Sequence, residues 1–197
     1  MKGIDALVKK ALELKGRGLN DHEIGRELHV SDNTVVWLLT RSVKGEKPPA
    51  DVKIGWRSVG VRGNRIGYLA AIYSDIIEEE ALKNESEVDA IVGIAIQGIP
   101  LATCISEEME IDLAIYRPAG PDKEGTIVSN FAGVEGKKVV VIDDVTGTGA
   151  TMRGAIKHLR ELGATPILAL VIVNKSERSD IEGVPLRSLI RAQPISA

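Results

Sequence analysis

Val139-Val140-Val141-Ile142-Asp143-Asp144-Val145-Thr146-Gly147-Thr148-Gly149-Ala150-Thr151 passes from a β-branched apolar run, through two acids and a loop of glycines and threonines, into a segment with helical spacing. The apolar run reads as a strand buried on both faces. The small loop residues let backbone amides close on a phosphate. The helix start beyond them adds the positive end of its dipole, and the threonine hydroxyls add hydrogen bonds. Asp143 and Asp144 fall where a sugar joined to that phosphate would lie, and carboxylates there can accept hydrogen bonds from vicinal ribose hydroxyls. A ribose 5-phosphate satisfies both requirements. An ordinary strand-to-helix turn would leave the adjacent acids and the loop hydroxyls unexplained.

Outward from this stretch, residues 90–96 and 167–173 repeat the apolar, β-branched character of 138–142, and the three segments are predicted to be strands. Residues 66–82, 100–110 and 150–162 each carry a spaced apolar face and are predicted to be helices. The alternation predicts an α/β fold, a parallel sheet covered by helices.

Ahead of it, Ile4, Leu7, Val8, Ala11, Leu12 and Leu14 form an apolar stripe along a first helix that ends at Gly16 and Gly18. Asn20-Asp21-His22-Glu23 supplies an N-cap with an acid three positions on. A short second helix burying Ile24 and Leu28 follows. Ser31 caps a third, which buries Val35, Leu38 and Leu39. Periodicity is lost from Thr40 and Pro48-Pro49 cannot continue a helix. The expected organisation is a small all-α domain at 1–44, a linker at 45–53 and the α/β domain at 54–197.

The chain has 197 residues, enough for these two units, and its 44% hydrophobic and 27% charged content is that of an ordinary globular protein. The longest apolar stretch is far shorter than a membrane span requires and the first residues lack a signal-peptide core, so a cytoplasmic protein with no membrane partner is expected. The single cysteine, Cys104, cannot form an internal disulfide and reads as a small buried side chain. Net charge is −3, yet residues 1–47 hold nine Lys or Arg against seven Asp or Glu. The basic excess sits at the N-terminus, where a nucleic acid could use it.

The segment from Gly18 to Val35 resembles a helix-turn-helix module, with small Gly25 in its second helix and Ser31-Asp32-Asn33-Thr34-Val35 opening the third. The resemblance implies double-stranded DNA as a partner and paired half-sites read by a homodimer. Ser31, Asn33 and Thr34 could then bond phosphates or base edges and Thr40 could approach the groove. Arg26, Arg41 and Lys44 could bind phosphate. Against this, Asp32 would repel phosphate, and a three-helix bundle of this kind can equally serve dimerisation. Trp37 reads as a packing or interface residue.

The 139–151 stretch resembles the signature of the type I phosphoribosyltransferase family, an apolar strand, two acids and a Thr-Gly-Thr-Gly-Ala-Thr-like loop. In that family the segment binds the ribose 5-phosphate part of phosphoribosyl pyrophosphate, and Mg2+ bridges the ligand's hydroxyls and pyrophosphate. No protein-only metal site is implied. The resemblance assigns Asp143 and Asp144 to ribose, and Thr146, Gly147, Thr148, Gly149, Ala150 and Thr151 to phosphate. Ala95, Ile96, Gln97 and Gly98 resemble the pyrophosphate loop, with Gly98 clearing the ligand's approach. Residues 116–125 occupy the position of the mobile catalytic loop.

By order and spacing the C-terminal part is most similar to orotate phosphoribosyltransferases, with two departures. The mobile loop retains only Arg117 and Lys123 as basic candidates for catalysis, and Asn174-Lys175 stands where an Asp-Arg pair holds the base. Lys175 could still bind a carboxylate, without arginine's bidentate fork. With the N-terminal module, the chain resembles the archaeal orotate phosphoribosyltransferase-like (PyrE-like) transcriptional regulators of the GfcR group. That implies a DNA-binding regulator whose effector is phosphoribosyl pyrophosphate or a ribonucleotide. The alternatives are an active phosphoribosyltransferase acting on orotate or a purine base, and a chain that does both.

Overall fold

A computed structural model describes the backbone of residues 2–44, 51–119 and 125–193, and the side chains within those ranges except at residues 2, 3 and 41–44. The chain divides into two compact units, one holding Met1–Gly55 and Ala192–Ala197, the other Trp56–Arg191.

The first unit contains α1 (Lys2–Gly16), α2 (Asp21–Leu28) and α3 (Asp32–Lys44). Ala11, Leu14, Ile24, Leu28, Val35 and Leu38 form its buried core, with Ile4, Leu7, Val8, Trp37 and Leu39 packed around them. Leu12 departs from the expected stripe and is more than half exposed, because it lies on the far side of α1 from Ala11 and Leu14. At the start of α2 the Glu23 amide donates to Asn20 Oδ1 (2.9 Å) and the Asn20 amide donates to Glu23 Oε2 (2.8 Å). Two of the helix's otherwise unpaired amides are satisfied by this reciprocal cap. α2 ends with His29 in the left-handed region (φ 55°), and the Val30 amide donates back to Gly25 O.

The second unit is a seven-stranded sheet between helical layers. Its elements in order are α4 (Arg57–Gly60), α5 (Gly63–Lys83), β1 (Ala90–Ile94), α6 (Gly98–Met109), β2 (Asp112–Arg117), β3 (Thr126–Ile127) and β4 (Lys138–Thr146). They continue with α7 (Ala150–Glu161), β5 (Thr165–Asn174), β6 (Asp180–Ile181) and β7 (Val184–Arg191). The strand order is β3-β2-β1-β4-β5-β7-β6. The five central strands are parallel, and β3 and β6 add antiparallel edges.

Alternate residues of the buried strands face opposite layers. Ala90, Val92, Ile94, Val139 and Val141 join Met152, Ala155, Ile156 and Leu159 of α7 in one core. Gly93 turns to the other face, where a Cβ would lie 2.8 Å from that of Ala102 of α6. This is the α/β architecture that the alternating pattern predicts.

Chain direction reverses in the strand order between β1 and β4: connections from β1 run toward β2, and those from β4 toward β5. The loops that leave the carboxyl ends of β1 and β4 therefore diverge from a common crevice. In open parallel sheets, this is where ligands bind.

Candidate functional site

β4 carries Asp143 and Asp144 to the crevice, only 5% and 6% exposed. Their carboxylates are held in place by neighbouring backbone. The Asp144 amide donates to Asp143 Oδ1 (3.0 Å) and the Val145 amide to Asp144 Oδ1 (2.8 Å). The second oxygen of Asp144 accepts the indole N–H of Trp56 at 2.8 Å. Nearby, Tyr73 of α5 is fully buried and its hydroxyl has no hydrogen-bond partner among the described residues. Burial, reinforced by the charge of Asp144, pushes its phenol far above the usual range.

Thr146 closes the strand, largely buried, and Gly147 and Thr148 stand exposed in the loop beyond it. Gly149 adopts φ 78°, a conformation disfavoured for residues with a Cβ, and it turns the chain directly into α7. The Ala150 amide donates to Thr148 Oγ1 (3.3 Å), and no side chain caps the helix from Gly149. Ala150 and Thr151 lie in the first turn, whose amides lack intrahelical partners. The loop and helix start can receive an anion.

Residues 95–98 leave β1 beside this loop. The Ala95 amide donates to Tyr116 O (2.8 Å), the Ala95–Ile96 peptide is cis, Ile96 is 77% exposed, and Gln97 precedes α6. Gly98 has a different neighbour from the one its sequence context suggests. A Cβ there would lie 2.3 Å from Ile142 O and 3.2 Å from Asp143 Cα, so the missing side chain admits the backbone of β4. Gly98 thereby brings the loop after β1 against the strand that carries the two acids.

Lys175 begins beside the same edge, its amide donating to Thr146 O (2.8 Å). The preceding Asn174 is fully buried. Its Oδ1 accepts from the Ser176 amide and its Nδ2 donates to Arg178 O, so it shapes the turn after β5. Arg117 ends β2 at the carboxyl edge and is exposed, and Lys123 lies outside the described residues. Cys104, on α6, is half-buried rather than buried. Desolvation together with Glu107 and Glu108 pushes its thiol up, which keeps it protonated near neutral pH and disfavours a nucleophilic role. No group of three or more His, Cys, Asp or Glu gathers at metal-binding spacing among the described residues.

In the first unit, Ser31 caps α3 through its hydroxyl, which accepts the Thr34 amide at 3.3 Å. Both residues are also engaged by Asp51. Asp51 Oδ2 accepts from the Ser31 amide (2.7 Å) and from the Thr34 hydroxyl (2.8 Å). Thr34 is consequently only 9% exposed, while Asn33 is exposed. The Thr40 hydroxyl donates to Val36 O, one turn back. The side chains of Arg41 and Lys44 lie outside the described residues.

Residues 66–188 match the Phosphoribosyl transferase domain family. A protein of Thermoplasma acidophilum, Transcriptional regulator GfcR, is 54% identical over 195 residues, which is 99% of this chain and 98% of its own length. The chain belongs to the GfcR family. A GfcR of Picrophilus torridus is 47% identical over 191 residues, 97% of this chain and 98% of its own. Among solved structures, the orotate phosphoribosyltransferase of Aeropyrum pernix superposes with a TM-score of 0.56 at 23% identity, covering 76% of this chain and 83% of that one. This last likeness is one of fold. The GfcR relatives span both units, whereas the phosphoribosyltransferase family match lies within the second.

Two residues of this site region carry no signal in the sequence. Trp56 lies 88 positions before Asp144, ahead of the first predicted helix of its unit, and no local pattern joins the two. Asp51 falls in a segment read as linker, and no local spacing ties it to a helix start 20 residues earlier.

Proposed function

We propose that this chain regulates transcription by binding double-stranded DNA through α2 and α3 as a homodimer, with phosphoribosyl pyrophosphate or a ribonucleotide as effector. The observation that carries the reading is the near full-length identity to proteins named transcriptional regulators, across the helical unit as well as the phosphoribosyltransferase-like one.

The proposed effector site is the crevice between the ends of β1 and β4. The loop 146–151 and the start of α7 would receive the 5-phosphate. Asp143 and Asp144 would face the ribose hydroxyls, residues 95–98 a pyrophosphate, and Lys175 an anionic group on the base. Mg2+ would enter with the ligand. It commonly takes one or two carboxylates and completes its shell with phosphate oxygens and water, which suits a site that offers two acids, with no larger cluster among the described residues.

On the DNA side, exposed Asn33 is the proposed base reader, with Arg41 and Lys44 on phosphates. Ser31, Thr34 and Thr40 would act mainly by fixing α3, since their hydroxyls have internal partners.

The test is selection of bound fragments from genomic DNA by purified protein at two salt concentrations, with and without phosphoribosyl pyrophosphate and Mg2+. Enrichment of one symmetric sequence that shifts with the ligand supports a ligand-responsive regulator. If no sequence is preferred under any condition, the regulator reading fails. Pyrophosphate release with orotate or purine bases then becomes the assay that decides for a phosphoribosyltransferase.

A further inference from the structure

The Asp144 carboxylate has an unusual companion for a proposed ribose acceptor. One oxygen is occupied by the Val145 amide and the other accepts the Trp56 indole at 2.8 Å. An indole N–H, like the ribose hydroxyl that the effector would bring, donates a hydrogen bond to this oxygen. Both would bond the same oxygen, and the bulky indole already stands beside it. The ring is seated deliberately: a Cβ on Gly60 would come within 2.9 Å of Trp56 Cζ3, so the absence of a side chain there lets the indole lie across α4.

Trp56 also stands at a particular place in the chain. Five residues before it, Asp51 accepts from the Ser31 amide and the Thr34 hydroxyl at the start of α3. Within the first unit Asp51 thus contacts the proposed DNA-reading helix, and five residues on, within the second unit, Trp56 contacts the proposed effector carboxylate.

Resting on the effector reading above, we propose that Trp56 is a resident occupant of the ribose-hydroxyl position on Asp144, displaced when phosphoribosyl pyrophosphate or a ribonucleotide binds. Its displacement is the event by which occupancy of the crevice is passed along residues 51–56 toward α3. The indole holds the site closed to weak ligands, and only a ligand that offers a hydroxyl to Asp144 together with a phosphate to the 146–151 loop removes it. An inorganic phosphate can bind the loop and leave Trp56 in place. By thermodynamic reciprocity, a ligand that changes DNA affinity through this segment must itself bind with altered affinity when DNA is present.

Fluorine NMR of the full chain carrying fluorotryptophan tests this directly, because the protein has only two tryptophans, Trp37 and Trp56. Trp37→Phe assigns the resonances. Phosphoribosyl pyrophosphate with Mg2+ is expected to move the Trp56 resonance, saturating at the midpoint found by calorimetry, while inorganic phosphate leaves it where it was. Trp56→Phe is expected to bind phosphoribosyl pyrophosphate roughly tenfold more tightly, the scale of one charge-assisted hydrogen bond no longer competing. The same variant should lose the effector's influence on DNA binding.

Calorimetric binding with a silent Trp56 resonance, or a Trp56→Phe chain that binds no more tightly, overturns the displacement while leaving the effector reading intact. Absence of any calorimetric binding of phosphoribosyl pyrophosphate or ribonucleotides to the unaltered chain removes both.

Discussion

At Gly98 the first turn of α6 meets the backbone of β4 so closely that a methyl group has no room, and the obstacle is a carbonyl oxygen of a central strand rather than a mobile side chain. Gly98→Ala is therefore expected to lower the unfolding free energy by about 3 kcal/mol, the upper end of overpacking costs, as measured by urea denaturation. Tyr73 predicts the opposite sign. Its buried hydroxyl has no partner among the described residues, and removing an unsatisfied polar group from a core relieves a desolvation penalty. Tyr73→Phe should raise stability by about 1 kcal/mol in the same assay. If the hydroxyl instead serves the effector, calorimetry with phosphoribosyl pyrophosphate will register a weaker complex. The acids, glycines and threonines of 143–151 were legible in the sequence because their chemistry is packed into consecutive positions. Trp56 was not, because its meaning lies in a contact across 88 residues.

The helices show which local signals suffice to form an element. Asn20 and Glu23 satisfy each other's backbone amides, so α2, only eight residues long, begins where its sequence says it should. Asn20→Ala should cost about 1 kcal/mol, seen as a lower midpoint in thermal unfolding of the full chain. α5, α6 and α7 and the strands β1, β4 and β5 were likewise readable, within a few residues at their ends, from spaced or continuous apolar character. β2 and β7 were not. β2 (Asp112–Arg117) is bounded by charges and has only three buried residues, and β7 (Val184–Arg191) alternates apolar with Pro185, Arg187 and Arg191. Both lie toward the outside of the sheet, where one-sided burial leaves a weaker pattern than the β-branched runs of the centre. α4, a single turn without a side-chain cap, has no sequence signal of its own.

Across the whole chain, charge is divided unequally, with a positive excess at the N-terminus of an acidic protein. If DNA is held by Arg26, Arg41 and Lys44 of each protomer in a dimer, the logarithm of affinity should fall with the logarithm of salt at a slope of about −5. Arg41→Ala should bring that slope nearer zero by about 2, one phosphate contact from each protomer, measured by fluorescence anisotropy on a selected operator. The second unit has a core of its own, so residues 56–191 expressed alone should bind phosphoribosyl pyrophosphate by calorimetry and retard no DNA. A final consequence comes from the margins of the sheet. The strand pairs added at its two sides, β3 and β6, are two residues each and run against their neighbours. Beyond β3, the Val128 and Ala132 amides donate to Ile115 O and Leu113 O along the outer rim of β2. On the opposite rim, β7 shows Pro185, Arg187 and Arg191. A strand from another molecule finds little continuous ladder to copy and meets the positive charge of Arg187 and Arg191 beyond the short pairing with β6. Crowded copies of this protein should thus resist growing into fibrils by edge-to-edge pairing, even though the sheet between those rims is built of the most aggregation-prone sequence in the chain.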